Sequence, residues 1–348
     1  MIIKIDSLDT LFFRDGKPFG SSDDNWASSL NYPNLSTIYG AIRSTYFSQN
    51  NLDINKADSS EDITKNLRIN GIYFYDNEEE TLLFKVPQDL YIVEDKLKLF
   101  KLIKNKSTNN PLEYIFEAKD EDIEKKEVFI TESTLLDYLE LFKPEKEEEI
   151  EFSFYEVENY IRTEAKIGIG RNKNRKSIEE GKLYRVGAKR YNNLSIIVDF
   201  DGINLKEKGL MRLGGEGKGV YYEEFFIEDF PKIKELSSDI FKTYLLTPAI
   251  FRNGWYPDFL DKEFKGEING VKVQLIAAAL GKNEFIGGWD IKNNLPKKMY
   301  KAVPSGSVYY FKVIDGNPFN ISNLMDNEFR EYKKQGFGKV IIGDYKEK

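Results

Sequence analysis

The sequence has no cysteine and no histidine among its 348 residues. No disulfide, thiol nucleophile, Ser-His or Cys-His dyad, iron–sulfur cluster or ordinary zinc site can therefore staple or arm this chain. The fold has to rest on an apolar core alone. The composition permits that, with 41% hydrophobic and 14% aromatic residues and length enough for two ordinary domains. The same absences restrict chemistry: without histidine, only carboxylate, lysine or tyrosine groups remain for acid–base work, and the easiest route to RNA cleavage is closed. No metal or organic cofactor is expected.

Residues 1–13 read as a strand, with Met1-Ile2-Ile3-Lys4-Ile5-Asp6 alternating in period two, running into the loop Arg14-Asp15-Gly16-Lys17-Pro18-Phe19-Gly20. That opening has no apolar run long enough for a signal peptide, and the longest apolar stretch, Leu275 to Leu280, is too short to span a bilayer. A soluble, cytoplasmic protein without a membrane contact is the expectation. Pro33 to Gln49 reads as a helix capped by Ser36 or Thr37, with Ile38, Ala41, Ile42 and Thr45 on one face. Ile69–Tyr75, Thr81–Val86 and Leu97–Ile103 read as strands, and Thr134–Phe142 as a second helix.

Glu117 to Glu151 carries fourteen acidic residues against five lysines, a solvated connector and a poor surface for RNA. The chain then restarts with strand-like Tyr160–Ile169, Leu183–Tyr191 and Leu194–Phe200, a helix-like Phe230–Lys242, and strand-like Thr243–Phe251, Val271–Leu280 and Val308–Ile314. A helix-like Ile321–Lys333 leads into Gly336-Phe337-Gly338-Lys339 and a terminal strand. This texture predicts an α+β protein of two domains, 1–155 with an acidic insertion and 156–348 with glycine-rich loops.

Net charge is −7, so any nucleic-acid contact must be a local patch. The patch is visible. Arg162 to Arg190 holds ten cations (Arg162, Lys166, Arg171, Lys173, Arg175, Lys176, Lys182, Arg185, Lys189, Arg190) against Glu164, Glu179 and Glu180, a net of +7. Its centre is a Gly/Asn-rich loop that can follow a phosphate backbone, although a solvated hairpin gives the same pattern. Arg14 and Lys17 stand beside aromatics in the first loop, and Arg43 on the first helix is placed to join them at one phosphate. The alternative there is Asp15 pairing with the cations over a core of aromatics. Asp23-Asp24 is a weak metal-site signal, since adjacent carboxylates of an extended chain point apart. Leu213-Gly214-Gly215-Glu216-Gly217-Lys218-Gly219 matches neither the Walker nor the dinucleotide pattern and reads as a phosphate-tolerant turn. Thr247 to Pro257 and Ile286-Gly287-Gly288-Trp289-Asp290 set aromatics beside glycines, for stacking on bases or for packing.

Leu11 to Phe19, Tyr32-Pro33 to Gly40-Ala41-Ile42-Arg43, Lys166 to Arg171, Glu180 to Arg185, Leu213 to Gly217, Leu246-Thr247-Pro248-Ala249, Gly287-Gly288-Trp289-Asp290, Ala302 to Ser307 and Gly336-Phe337-Gly338 together resemble, in order, the Cmr-type third subunit. This is a RAMP-superfamily component of type III-B CRISPR–Cas effector complexes. The resemblance implies two ferredoxin-like (RRM-like) domains with antiparallel sheets and inserted loops, and no nuclease site. It also implies a grip on the 5′ tag of the CRISPR RNA, beside the large polymerase/cyclase-like subunit and the repeating backbone RAMP subunit. The residues expected on RNA are Arg14, Lys17, Arg43, Arg162, Arg171, Lys173, Arg175, Lys176 and Arg190, with Lys218 and Lys339 from the glycine-rich loops. Two other readings stay open. One is a RAMP endoribonuclease that processes CRISPR RNA precursors through Lys17 or Tyr39. The other is a scaffold that binds only protein.

Overall fold

The computed structural model describes residues 1–14, 26–107, 109–140, 151–171, 178–227, 236, 238–290, 295–318, 321 and 332–345. The protein is α+β, mostly antiparallel sheet with few helices. Strand β1 (Ile2–Ser7) is followed by helix α1 (Leu35–Gln49), β2 (Arg68–Asp76), β3 (Thr81–Lys85), β4 (Val128–Thr131) and helix α2 (Glu132–Leu139). A long pair, β5 (Ile161–Arg171) and β6 (Ile178–Tyr191), precedes β7 (Leu194–Asp201) and β8 (Gly219–Glu224). The last four main strands are β9 (Ile240–Leu245), β10 (Val271–Ala279), β11 (Val308–Asp315) and β12 (Val340–Asp344).

An eight-stranded sheet runs in the order Tyr155–Glu156, β4, β3, β2, β7, β1, β8, Lys208–Arg212. Its strands come from both sides of residue 155. A five-stranded sheet runs Lys265–Ile268, β10, β11, β9, β12. The two share a motif: the quartet β8-β1-β7-β2 in the first has the same chain-order pattern (fourth, first, third, second) as β12-β9-β11-β10 in the second.

Alternation along β1 sends Ile3 and Ile5 to one face of the large sheet, where they meet Ile196, Val198, Phe200, Val220 and Tyr222. Helix α1 covers that face with Ile38, Ala41 and Ile42, the stripe read from the sequence. Removing one such side chain, as in Ile38→Ala, costs about 2–5 kcal/mol. The N-cap of α1 is Asn34, not Ser36 or Thr37; Ser36 instead donates to Gln335 Oε1 at 2.5 Å. Helix α2 is capped by Thr131, whose hydroxyl accepts from the Thr134 N–H at 3.3 Å.

The opposite face of the large sheet shares a second core with α2 and the five-stranded sheet. Leu82, Phe84, Leu135, Tyr138, Ile197, Tyr244, Ile276, Val308 and Tyr310 meet there. Within it lies a polar group. The Tyr138 hydroxyl donates to Asp89 at 2.7 and 2.8 Å, and the Tyr310 hydroxyl donates to Asp89 Oδ2 at 2.6 Å. Lys242 Nζ donates to the Tyr138 carbonyl at 2.5 Å and sits 3.5 Å from the Tyr138 ring centroid. Asp89 and Lys242 are 0% and 1% exposed. Burial raises the Asp89 carboxyl above its ordinary range, against the pull of Lys242 and the two phenols. Burial also pushes Lys242 down to about 8.

Three readings from the sequence change here. The helix expected over Phe230–Lys242 lies mostly outside the described residues, and its end is strand from Ile240; Lys242 lies inside the core, and its charge interrupts an otherwise apolar run. Leu97–Ile103 is two strands, Lys96–Leu99 and Lys101–Lys104. They break at Phe100, whose N–H turns to the Asp89 carbonyl (2.9 Å) and whose ring packs on Tyr91. The helix expected over Ile321–Lys333 lies mostly outside the described residues, and Lys333 belongs to a 3₁₀ turn, Lys333–Gln335.

Candidate nucleic-acid interface

The basic segment forms an arm. β5 and β6 pair in antiparallel register from Ile161↔Tyr191 outward, with Arg162 opposite Arg190 and Lys166 opposite Val186. Ile161 and Tyr191 are buried at its base, and the Tyr191 hydroxyl donates to the Asn31 carbonyl at 2.6 Å. Ile167, further out, is 65% exposed. Period-two alternation puts Arg162, Glu164, Lys166 and Arg190 on one face. A short strand, Trp26–Ser28, adds to β6 in parallel at Arg185–Gly187.

Two loops fold back onto this arm. Leu11 and Lys189 exchange backbone hydrogen bonds of 2.7 Å each, which fixes the loop after β1 against β6. The Gly215 N–H donates to the Phe12 carbonyl at 2.8 Å. Gly214 has φ +77°, and a Cβ there would stand 2.6 Å from the Phe12 carbonyl oxygen, so the close approach of this glycine-rich loop requires glycine.

Asp9 lies where the three segments meet. Its carboxylate accepts from Lys166 Nζ (3.1 Å) and Arg190 Nη2 (3.2 Å), with Lys218 Nζ at 3.9 Å. Arg190 also grips Glu164, through Nε and through Nη2 at 3.0 Å. The Thr10 N–H and then the Lys166 ammonium hold the Asp9 carboxyl down at about 2. The hydrogen bond from Arg190 lowers Glu164 and raises Arg190 in turn. Lys189 is lowered by partial burial, and its ammonium donates to Thr163 Oγ1 at 2.8 Å. Cations from the arm and from the glycine-rich loop thus converge on Asp9, with Glu164 holding Arg190 from the arm itself. Such an array presents fixed charges to a phosphate chain.

Of the residues expected on RNA, Arg162, Arg190 and Lys218 come together here, Arg162 with its side chain exposed. Arg14 is exposed on the adjoining loop, its backbone bridged to Ser29. Arg171 ends β5. Lys17, Lys173, Arg175 and Lys176 lie outside the described residues, as does Asp23-Asp24. Arg43 is committed within its own neighbourhood: it pairs with Asp62 (2.7 Å) and Asp58 (3.0 Å), donates to Thr64 Oγ1 (2.8 Å) and stands over the Tyr39 ring. Burial raises the Tyr39 phenol, which works against its use as a base. Lys339 precedes β12, where its N–H donates to Thr247 Oγ1 at 2.8 Å and its charge acts on Asp199. The Gly336 turn packs on Ile69 of β2.

Asp9 was missed by sequence reasoning. Its partners lie 157 and 181 positions away, and no local pattern marks it. Among the described residues, no group of three or more acidic side chains is placed to hold a metal ion, and no helix is long and apolar enough to cross a membrane.

A search of curated proteins finds CRISPR system CMR subunit Cmr3 of Saccharolobus solfataricus, 25% identical over 185 residues, which is 52% of this chain and 54% of that protein. The match thus spans about half the length of the curated relative. Among solved structures, a chain of the type III-B Cmr-beta complex bound to cognate target RNA and AMPPnP superposes with a TM-score of 0.55 at 19% identity. It covers 98% of this chain and 96% of that one. A second structure of Cmr-beta bound to cognate target RNA gives the same values. These likenesses establish the fold. The sequence model of the CRISPR-associated protein family Cas_Cmr3 matches residues 3–345, and the chain belongs to that family.

Proposed function

We propose that this chain is a non-catalytic, RNA-gripping subunit of a type III-B effector complex. It holds the 5′ tag of the CRISPR RNA and docks the large cyclase-like subunit and the repeating backbone subunit. The observation that carries the reading is the convergence of Lys166, Arg190 and Lys218 on Asp9, beside exposed Arg162 and Arg14. Phosphates dock on such an array, and the glycine-rich loop lets the backbone approach closely. Family membership and the RNA-bound complexes of the structural relatives support the same direction.

Each quartet is read as a ferredoxin-like unit that has kept its strand order. In the first unit α1 retains the crossover between the first two strands, and a hairpin strand, Lys208–Arg212, stands where the second helix would lie. The boundary between units then falls at residues 225–239, after β8 and before β9.

The test is to purify the assembled complex with Arg162→Glu and Lys218→Glu and to sequence the 5′ ends of the RNA it retains. Loss of a uniform tag, with a shallower salt dependence of tag-RNA binding by about 0.7 per phosphate contact removed, is expected. Unchanged RNA content and affinity would sink the reading. Metal-free cleavage of a repeat RNA by the purified chain would replace it with the endoribonuclease.

A further inference from the structure

Two arms leave the protein from matching places. The β5–β6 arm is inserted between β2 and β7, the second and third strands of the first quartet. Residues 284–302 are inserted between β10 and β11, the second and third strands of the other. This second arm is a thin ribbon: Glu284–Ile286 pairs with Tyr300–Ala302, and Trp289–Asp290 with Leu295–Pro296.

Its exposed face interleaves flat apolar surface with cations. Phe285 is 58% exposed and stands directly opposite Lys301 in the register. Met299, 47% exposed, lies beside Gly287; a Cβ on that glycine would meet only Met299 carbons, at 3.9 and 4.0 Å. Two residues along the strand from Phe285, therefore, the Met299 side chain lies across the glycine and extends the exposed apolar surface. Lys297 and Lys298 are also exposed. Residues 282–301 carry five lysines against Glu284 and Asp290 in a protein of net charge −7. Glu284 is already bound to Lys85 at 3.3 Å.

We propose that this second arm is a further RNA contact, for an unpaired stretch of nucleotides. It rests on the reading of the chain as an RNA-gripping subunit. A base stacks on the exposed Phe285 ring beside Met299, and Lys301 and Lys297 hold the flanking phosphates. A protein partner suits the face less well, because lysine is depleted from protein–protein interfaces and here one lies directly across from the exposed ring.

The experiment measures anisotropy of a short labelled oligouridine with the purified full chain at several salt concentrations. Phe285→Ala is expected to weaken binding at least about fivefold, with Phe285→Trp restoring it. Lys301→Glu is expected to weaken binding and flatten the salt slope by about 0.7. Both side chains are exposed, and a thermal melt checks that the variants stay folded. Unchanged oligouridine binding in both variants overturns the proposal. So does release of a partner subunit from the complex by Phe285→Ala while RNA binding is kept. Arg162→Glu, read with a tag-bearing RNA, reports on the first arm alone and separates failure of the tag reading from failure of this one.

Discussion

Asp9 and Asp89 are the same side chain in opposite surroundings. Asp9 is half-exposed among three cations and is held down at about 2 by a backbone N–H and by Lys166. Asp89 is sealed beneath two phenols, and burial raises it. One gathers loops on a surface where charge stays cheap to hydrate. The other ties α2 to the second sheet where it does not. The difference teaches that a carboxylate's role in this fold is set by what encloses it, and the two sites titrate in opposite senses.

The largest effect is expected from Asp89→Ala. It strands two tyrosine hydroxyls and the Lys242 charge in the core, at about 3–5 kcal/mol and a fall in melting temperature on the order of 10 °C. Asp89→Asn keeps an acceptor and should fall well short of that. A melt in which both match the wild type would remove the buried group from the comparison.

Lys242 supplies the next test. Its folded-state value, about 8, lies below its ordinary value, so the unfolded chain binds the proton more tightly between them. Stability therefore rises as pH climbs from 8 towards 9.5, by about 1–2 kcal/mol, before tyrosine ionisation intervenes. Urea melts should show that slope in the wild type and lose it in Lys242→Met.

Acid titration sharpens the contrast further. Asp9 is lowered in the folded state, so its contribution is present above the ordinary carboxylate range and is lost as pH falls towards 2. Asp89 is raised, so its protonation favours the folded state as pH falls through its own higher value. Asp9→Asn should make the acid limb of stability shallower and Asp89→Asn steeper. Asp9→Asn also removes one negative charge from among three cations, so untagged RNA should bind several-fold tighter with a steeper salt slope, and discrimination in favour of the tag should drop.

The smallest effect belongs to Glu164→Gln, which breaks an exposed pair with Arg190. It should leave the melting temperature unchanged and show only in RNA affinity.

The sequence disclosed what short-range periodicity can carry. β1, α1 and β2 follow from alternation or from the Ile38–Ala41–Ile42–Thr45 stripe, because burial on one face leaves a period, whereas β7, buried on both faces, shows only as a short apolar run. β9 was obscured because Lys242, a charged residue in a central strand, breaks the apolar run for a reason visible only across the fold, in Asp89 and Tyr138. Residue 155, shortly past the acidic segment, marks the domain line expected from the sequence, and strands on both sides of it share one sheet. The basic arm was legible as charge, and Arg162, Arg190 and Lys218 do gather. Their organiser was not, since Asp9 is one unremarkable carboxylate whose meaning lies in residues far along the chain. Arg43 carried the right charge in the right region and is spent on Asp62.

The placement of β1 has a consequence for how the protein is made. Ile3 pairs with Val198 on one side and Glu224 on the other, so β1 has no sheet partner until the chain has grown through β7, and its second edge stays open until β8 follows. At ordinary elongation rates that is a wait of roughly 10–40 s. During it, an isoleucine-rich strand with two open edges is available to any other edge it meets. Slower elongation before residue 224 should lengthen that exposure and lower the soluble yield, whereas pausing after it should be harmless.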